Sequence, residues 1–320
     1  MHYNIGVDIG GTNIVAGLVD DAGRIRAKAA TPTLAARGAE AIVADIVALA
    51  RKLTEESGIP ADRVGGVGVG VPGTANRTTG IVEYACNLNW TGVPLQALLS
   101  EALRLPIRLE NDANAAAFGE YTAGAAEGCD SFIMITLGTG IGGGMVSQGR
   151  LIEGFNFAGM EVGHMVIDKG GRPCHCGRNG CFERYASASG LILTAKEYME
   201  RYPTSLLWDM AEDDPDRVDG LTPFEAMKRG DPAAKAIIDV YAADLACGVT
   251  NLINIFQPDR LAIGGGIAGQ GETLLAPLRA IVARDVYSKH CARNTEIVAA
   301  VLGNDAGVIG AARLCDEKRR

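Results

Sequence analysis

Several things are missing from this sequence, and each absence excludes something. Positive charge is not in excess: 30 Lys and Arg stand against 38 Asp and Glu, a net charge of −8. That argues against a nucleic-acid binder whose affinity comes from neutralising phosphates. No run of about 18 apolar residues occurs, so no membrane helix is expected. The opening MHYNIGVDIGG lacks a basic region followed by an apolar stretch, so no signal peptide is expected either. Eight cysteines in 320 residues are too sparse for a disulfide scaffold. Three of them crowd into the segment 174–181, which points to metal binding in a reducing compartment. The expectation is a cytoplasmic protein with no nucleic-acid or membrane partner.

The composition that remains, 48% apolar and 21% charged, is that of an ordinary globular chain. At roughly 150 residues per domain the length suggests two domains. Such a chain buries a large core without staples. The unusual count is glycine, 42 residues, about twice the usual ~7%.

These glycines punctuate strands. Ile5, Val7 and Ile9 alternate, Gly10-Gly11 interrupts, and Ile14–Val19 resumes before a turn at Asp21-Ala22-Gly23, so the pattern predicts strand, glycine turn, strand. A similar unit recurs at 132–151, where FIMITL meets GTGIGGG and continues as MVS. Shorter strand-to-glycine units occur at Val67–Gly73 and Leu261–Gly266. The repeat is an internal duplication of one strand-loop device.

Helical spacing is visible at Ile42–Leu53, at Leu95–Leu103 and through Ile237–Phe256, which Asp231-Pro232 starts and Pro258 stops. Thr222-Pro223-Phe224-Glu225 has the form of a capping box, and the acidic Asp209–Asp219 reads as a solvated loop. The class is α/β. The expected domains are 1–112, completed by a C-terminal helix at about 305–320, and 113–304, which carries a metal-binding loop.

GTGIGG at Gly138–Gly143 matches the dinucleotide fingerprint GxGxxG formally, but that motif needs a helix directly after the glycines. Here Met145-Val146-Ser147 continues as a strand. A hairpin whose N–H groups make a nest for phosphate oxygens suits the pattern better. Two such hairpins, each with a threonine beside the glycines (Thr12 and Thr139), form a set suited to a nucleotide's phosphates.

ENDANAAAFGEY, from Glu110, places Asn111 and Asp112 directly before an alanine-rich helix. Either residue suits a helix cap. Asp112 also suits a general base, and the phosphoryl transfer that phosphate nests suggest asks mainly for positioning and charge stabilisation. Farther along, Cys174, Cys176 and Cys181 alternate with Gly177 and Gly180. In an extended segment Cys174 and Cys176 point one way and His175 the other. His164, ten residues earlier, is then the expected fourth ligand of a tetrahedral Cys₃His zinc site, with His175 as its rival. Four protein ligands leave no open position, so the zinc is expected to be structural.

VDIGGTN at 7–13, TLGTGIGGG at 136–144 and AIGGGI at 262–267, in this order, resemble the phosphate and adenosine segments of the sugar-kinase, actin and Hsp70 superfamily, with its ribonuclease H-like domains. Within it, ExGH followed by CxCGxxGCxE is similar to the ROK family of repressors and sugar kinases, glucokinases above all, over about residues 3–315. The resemblance implies two domains with a deep cleft holding ATP. Asp8 would hold Mg²⁺ through water. Gly10, Gly11, Thr12 and Asn13, Gly138, Thr139 and Gly140, and Gly264, Gly265 and Gly266 would surround the nucleotide. It also implies sugar contacts from Gly73, Asn87, Asn111, Asp112, Glu161, His164 and Glu183, and a homo-oligomer, dimer or tetramer. Asn13 stands where relatives often have lysine, and Met160 where many have glycine directly before the glutamate.

The leading expectation is an ATP-dependent kinase for the 6-hydroxyl of glucose. N-acetylmannosamine, N-acetylglucosamine, fructose and allose are alternative substrates, and polyphosphate and ADP are alternative donors. A sugar sensor or repressor is the alternative of another class. ROK repressors place a helix-turn-helix domain before the DIGGT strand, which here starts by residue 3.

Overall fold

In the computed structural model, which describes residues 2–316, the first sheet is buried on both faces along most of its central strands. Strand β1 (Tyr3–Ile9) buries Ile5, Val7 and Ile9. It turns through Gly10–Thr12 into antiparallel β2 (Asn13–Asp20), which pairs with β3 (Ile25–Pro32). Helix α1 (Ala39–Ser57) lays Ile42, Ile46, Ala50 and Leu53 on the core, the 3.6-residue face expected from the sequence. Strand β4 (Val64–Val71) pairs parallel to β1. A small sheet of β5 (Thr74–Asn76), β6 (Ile81–Ala85) and β7 (Trp90–Val93) follows. After α2 (Leu95–Leu103), β8 (Ile107–Asn111) pairs parallel to β4 and runs straight into α3 (Asp112–Ala123).

The second sheet repeats this plan. β9 (Ser131–Leu137), β10 (Ile141–Ser147) and β11 (Arg150–Leu151) form its meander. Helices α4 (Glu183–Ala186), α5 (Ala188–Arg201), α6 (Leu206–Met210), α7 (Thr222–Lys228) and α8 (Pro232–Phe256) then precede β12 (Arg260–Gly264). Helix α9 (Glu272–Asp285), β13 (Glu296–Ala299) and α10 (Ala306–Arg313) complete the chain. The strand orders β3-β2-β1-β4-β8 and β11-β10-β9-β12-β13 are the same topology twice, so the duplicated strand-loop device of the sequence is a duplicated fold.

The chain divides into two compact units. Unit 1 comprises residues 1–134, 144–160 and 300–320, and unit 2 comprises 135–143 and 161–299. Unit 1 therefore runs past the boundary expected at 112, because α10 packs along α3 as well as β1 and β4. Residues 317–320 of the expected C-terminal helix lie outside the described residues.

Many glycines exist for that packing. A Cβ on Gly6 or Gly68 would overlap the carbonyls of Val308 or Ala311, and one on Gly119 or Gly310 those of Ala306 or Ala115. Helix α10 approaches α3 and the sheet at backbone distance, which side chains at these four positions would prevent.

Three local expectations change. Thr222 does not cap α7: Asp219 Oδ1 accepts the N–H groups of Leu221 and Thr222 instead, since its short carboxylate reaches both in an Asx turn. The acidic segment 209–219 is partly helical at Leu206–Met210 and Pro215–Arg217. Helix α8 is long and apolar enough by composition to span a membrane, but 61% of its most apolar window is buried inside the protein, against α5, α7 and α9.

Candidate active site and metal centre

In unit 1 the parallel strands β1, β4 and β8 end together, and ligands of such sheets bind beyond the carboxyl ends of the strands. Asp8 of β1 pairs with Gly70 of β4. A Cβ on Gly70 would lie 3.7 Å from Asp8 Oδ1 and 3.5 Å from the Asp112 Cα, so both aspartates flank one glycine. Asp8 Oδ2 also faces Gly307 of α10, where a Cβ would come within 2.6 Å. Burial pushes the Asp8 carboxyl up to about 6.

Asn111, not Asp112, caps α3. Its Oδ1 accepts the N–H groups of Ala113 and Asn114 at 2.9 and 3.1 Å, and its Nδ2 donates to the Gly73 carbonyl at 3.1 Å. One amide hydrogen of Asn111 is left for a ligand. Asp112 is the half-buried first residue of the helix, where the N-terminal dipole favours negative charge. Asn87 is exposed in the 3₁₀ turn Cys86–Leu88. Gly73 is fixed by close approach, since a Cβ there would overlap the Tyr84 carbonyl.

In unit 2 His164, Cys174, Cys176 and Cys181 converge, with ligand atoms all within 4.8 Å of one another. His164 Nδ1 lies 3.7 Å from Cys174 Sγ, and Cys176 Sγ lies 3.6 Å from Cys181 Sγ. Bonds of ~2.3 Å to sulfur and ~2.0 Å to nitrogen around a tetrahedral ion give edges of about 3.5–3.8 Å, so the four atoms fit zinc. His175 is exposed and outside the cluster. The 174–181 segment is a tight turn rather than an extended run: Gly177 N–H donates to the Cys174 carbonyl and Cys174 N–H to Arg178. Gly177 and Gly180, at φ +87° and +81°, supply the left-handed residues such a knuckle needs. Burial pushes the Cys174 thiol up to about 12 and raises Cys181, while the Arg178 backbone N–H lowers Cys176. A divalent cation releases such protons on binding.

The cysteine–histidine cluster is stapled to its surroundings. The guanidinium of Arg172 donates to the carbonyls of Arg184 and Gly190 and to Thr194 Oγ1, and lies 4.9 Å from the Tyr185 ring centroid. Phe182, fully buried, packs its ring on Gly248 of α8. Its neighbours Cys181 and Glu183 are thereby held on either side of a core anchor.

The glycine hairpin between β9 and β10 packs on this same assembly. Ala188 N–H donates to the Gly138 carbonyl at 2.9 Å. A Cβ on Gly163 would overlap the Ile141 carbonyl, and one on Gly140 would sit 2.6 Å from Glu183 Oε2. Gly265 lies against Leu137 at the end of β9. At Gly11, Gly138 and Gly266, by contrast, a Cβ would meet nothing closer than 3.9 Å. Internal packing does not require glycine at these three, although the Gly138 backbone is engaged, its N–H donating to the Gly140 carbonyl and its own carbonyl accepting from Ala188.

Glu183 joins the two features. Cys174 Sγ donates to its Oε1 at 3.1 Å, His164 Nδ1 lies 3.6 Å from Oε1, and Oε2 faces Gly140. Glu161 is drawn into the same field: desolvation pushes its carboxyl up, His164 pulls it down and Glu183 pushes it up again.

A family model described as ROK family matches residues 4–318. The chain belongs to the ROK family. It is 38% identical to the glucokinase of Thermotoga maritima over 98% of this chain and 97% of that protein. The crystal structure of a ROK family glucokinase from Streptomyces griseus in complex with glucose and AMPPNP matches with a TM-score of 0.83, at 37% identity and 98% coverage of each chain. The ROK hexokinase of Thermus thermophilus matches at 0.79 and 32% identity, covering 97% of this chain and 96% of that one.

In this ROK chain the candidate residues fall into two sets. Unit 1 carries Asp8, Gly10–Asn13, Gly73, Asn87, Asn111 and Asp112. Unit 2 carries Gly138–Gly140, Glu161, His164, Glu183, Gly264–Gly266 and the three cysteines. Sequence reasoning missed a buried cluster beside Asp112, formed by Arg77, Glu110 and Glu153. Its one signal was Glu110 itself, an acidic residue in a strand that buries its neighbour Leu109 as well.

Proposed function

We propose that this protein is an ATP-dependent hexose kinase that phosphorylates the 6-hydroxyl of glucose, with Asp112 as general base. The observation that carries the reading is the pair Asp8 and Asp112 on either side of Gly70, beyond parallel strand ends, in a ROK chain. In this reading Asp112 takes a proton and Asp8 would hold a cation's water. The likeness to a glucokinase crystallised with glucose and AMPPNP supports both the sugar and the donor.

Asp112 accepts the proton of the 6-hydroxyl as its oxygen bonds to the γ-phosphorus. The bond from that phosphorus to the β,γ-bridging oxygen breaks, and ADP leaves. Asn111 holds the start of α3 to the Gly73 turn and offers its remaining amide hydrogen to the sugar. The open backbone at Gly11 and Gly266, together with Thr12 and Thr139, would offer hydrogen-bond donors to phosphate oxygens. Asp8 would hold Mg²⁺, which supplies charge neutralisation at the phosphates. His164, Cys174, Cys176 and Cys181 would hold Zn²⁺ with four protein ligands, and it would fix the loop that carries Glu161, His164 and Glu183. With Nδ1 turned to the cysteines, His164 has Nε2 free for a sugar hydroxyl.

The experiment is Asp112→Asn. It should fold and bind glucose with a Kd within about threefold of wild type, yet lose at least about 10²-fold in turnover. Near wild-type turnover would sink the base assignment.

A further inference from the structure

Glu110 is only 2% exposed and lies two residues before the proposed base. Its Oε1 accepts the Asn111 N–H at 2.9 Å and the Asn114 Nδ2 at 3.0 Å, gripping the first turn of α3 from beneath. Its Oε2 has no hydrogen-bond partner and lies 3.4 Å from the Arg77 guanidinium. Arg77, from the turn after β5, also pairs with Glu153, from the segment after β11. Two carboxylates and one guanidinium meet around the start of one helix.

Stability does not explain this. Asn111 already caps the helix, and a buried ion cluster is commonly no more stable than apolar residues of the same volume. Geometry offers a better reason. Asp112 has to meet a hydroxyl within a few tenths of an ångström, and misplacement by 1 Å can lower turnover about 10²-fold. We propose that Arg77, Glu110 and Glu153 form a positioning device for Asp112: Glu110 fixes the first turn of α3 through Asn111 and Asn114, and Arg77 with Glu153 fixes Glu110. Burial pushes the Glu110 carboxyl well above its ordinary range, the neighbouring Glu153 adds to this, and Arg77 and Asn114 oppose it. Glutamine at 110 keeps an acceptor for the Asn111 N–H and the Asn114 Nδ2, the two bonds that grip the helix. The inference rests on Asp112 being the base.

The test compares Glu110→Ala, Glu110→Gln and Glu153→Ala, with kcat and both KM values measured for glucose and ATP. Glu110→Ala should lower kcat about 10- to 100-fold while the KM values stay within about threefold, because the grip matters only when the proton moves. Glu110→Gln should restore kcat to within about threefold of wild type. Glu110→Ala at wild-type kcat, or Glu110→Gln as impaired as Glu110→Ala, overturns the proposal. If Glu110→Ala does not fold, Glu153→Ala decides: kcat about 3- to 10-fold lower at unchanged KM supports the device, and unchanged kcat overturns it. Asp112→Asn assayed alongside separates the two claims. Turnover in that variant removes the base, whereas an inactive Asp112→Asn with fully active Glu110→Ala removes only the positioning role.

Discussion

Replacing Asp8 with asparagine should make the metal-free protein more stable and the enzyme inactive. The Asp8 carboxyl is half-buried between Gly70 and Gly307, and burial lifts its pKa from 3.8 to about 6. The folded state therefore holds this proton more tightly than the unfolded chain does. Its contribution to stability is greatest below pH 3.8 and declines as the pH rises to about 6, by about 3 kcal/mol at 1.36 kcal/mol per unit. Above that window the ionised carboxylate sits in a site that disfavours its charge. Asparagine keeps the shape and drops the charge, so at pH 7 it should recover about 1–3 kcal/mol. The upper end requires that the amide find partners. A unit of this size gains about 2–4 °C in Tm per kcal/mol. The assay is thermal unfolding in EDTA at pH 5 and pH 8, wild type against Asp8→Asn. The variant should lead at pH 8 by several degrees and by less at pH 5, and its magnesium-dependent turnover should be lost. A variant less stable than wild type at pH 8, or one with normal turnover, would refute the argument that Asp8 is kept charged for a cation.

Three further outcomes follow from particular contacts. Purified protein should contain about one zinc per chain by mass spectrometry of the metal; Cys181→Ser should lower that content and weaken glucose binding, and full glucose affinity in a zinc-free protein would contradict the site. Gly310→Ala should destabilise unit 1 by about 1–3 kcal/mol or more in chemical denaturation, because its Cβ overlaps the Ala115 carbonyl; an unchanged midpoint would mean that α10 can shift at no cost. Met160, at φ +62°, holds a left-handed conformation that disfavours any side chain by about 1–2 kcal/mol. Met160→Gly should therefore leave stability unchanged or slightly raised, and a clear loss would show that its side chain supplies more than the strain removes.

Much of the fold was legible because its signals are local. Alternation with a glycine break marks β1–β2 and β9–β10, and the absence of a helix after Gly143 separated these hairpins from a dinucleotide motif. The convergence of His164, Cys174, Cys176 and Cys181 was legible from spacing, although the turn that joins Cys174 to Cys176 was not, since alternation argues for a strand until Gly177 and Gly180 bend it. What stayed hidden is tertiary. Nothing near Gly6, Gly68, Gly119 or Gly310 announces that a helix from the far end of the chain will rest on them. That packing carries unit 1 beyond residue 112. Asn111 and Asp112 were equal candidates for a cap, and only the hydrogen bonds to Ala113, Asn114 and Gly73 assign the cap to Asn111. The Arg77–Glu110–Glu153 cluster joins three segments distant in sequence, so no single motif contains it.

The measurement that bears most directly on the central claim is a coupled ADP-release assay with magnesium-ATP against glucose, mannose, fructose, allose, N-acetylglucosamine, N-acetylmannosamine and no sugar. Glucose should give the fastest release, with little ADP formed when sugar is absent. Folded, zinc-loaded protein that releases no ADP in response to any of these sugars would contradict the account.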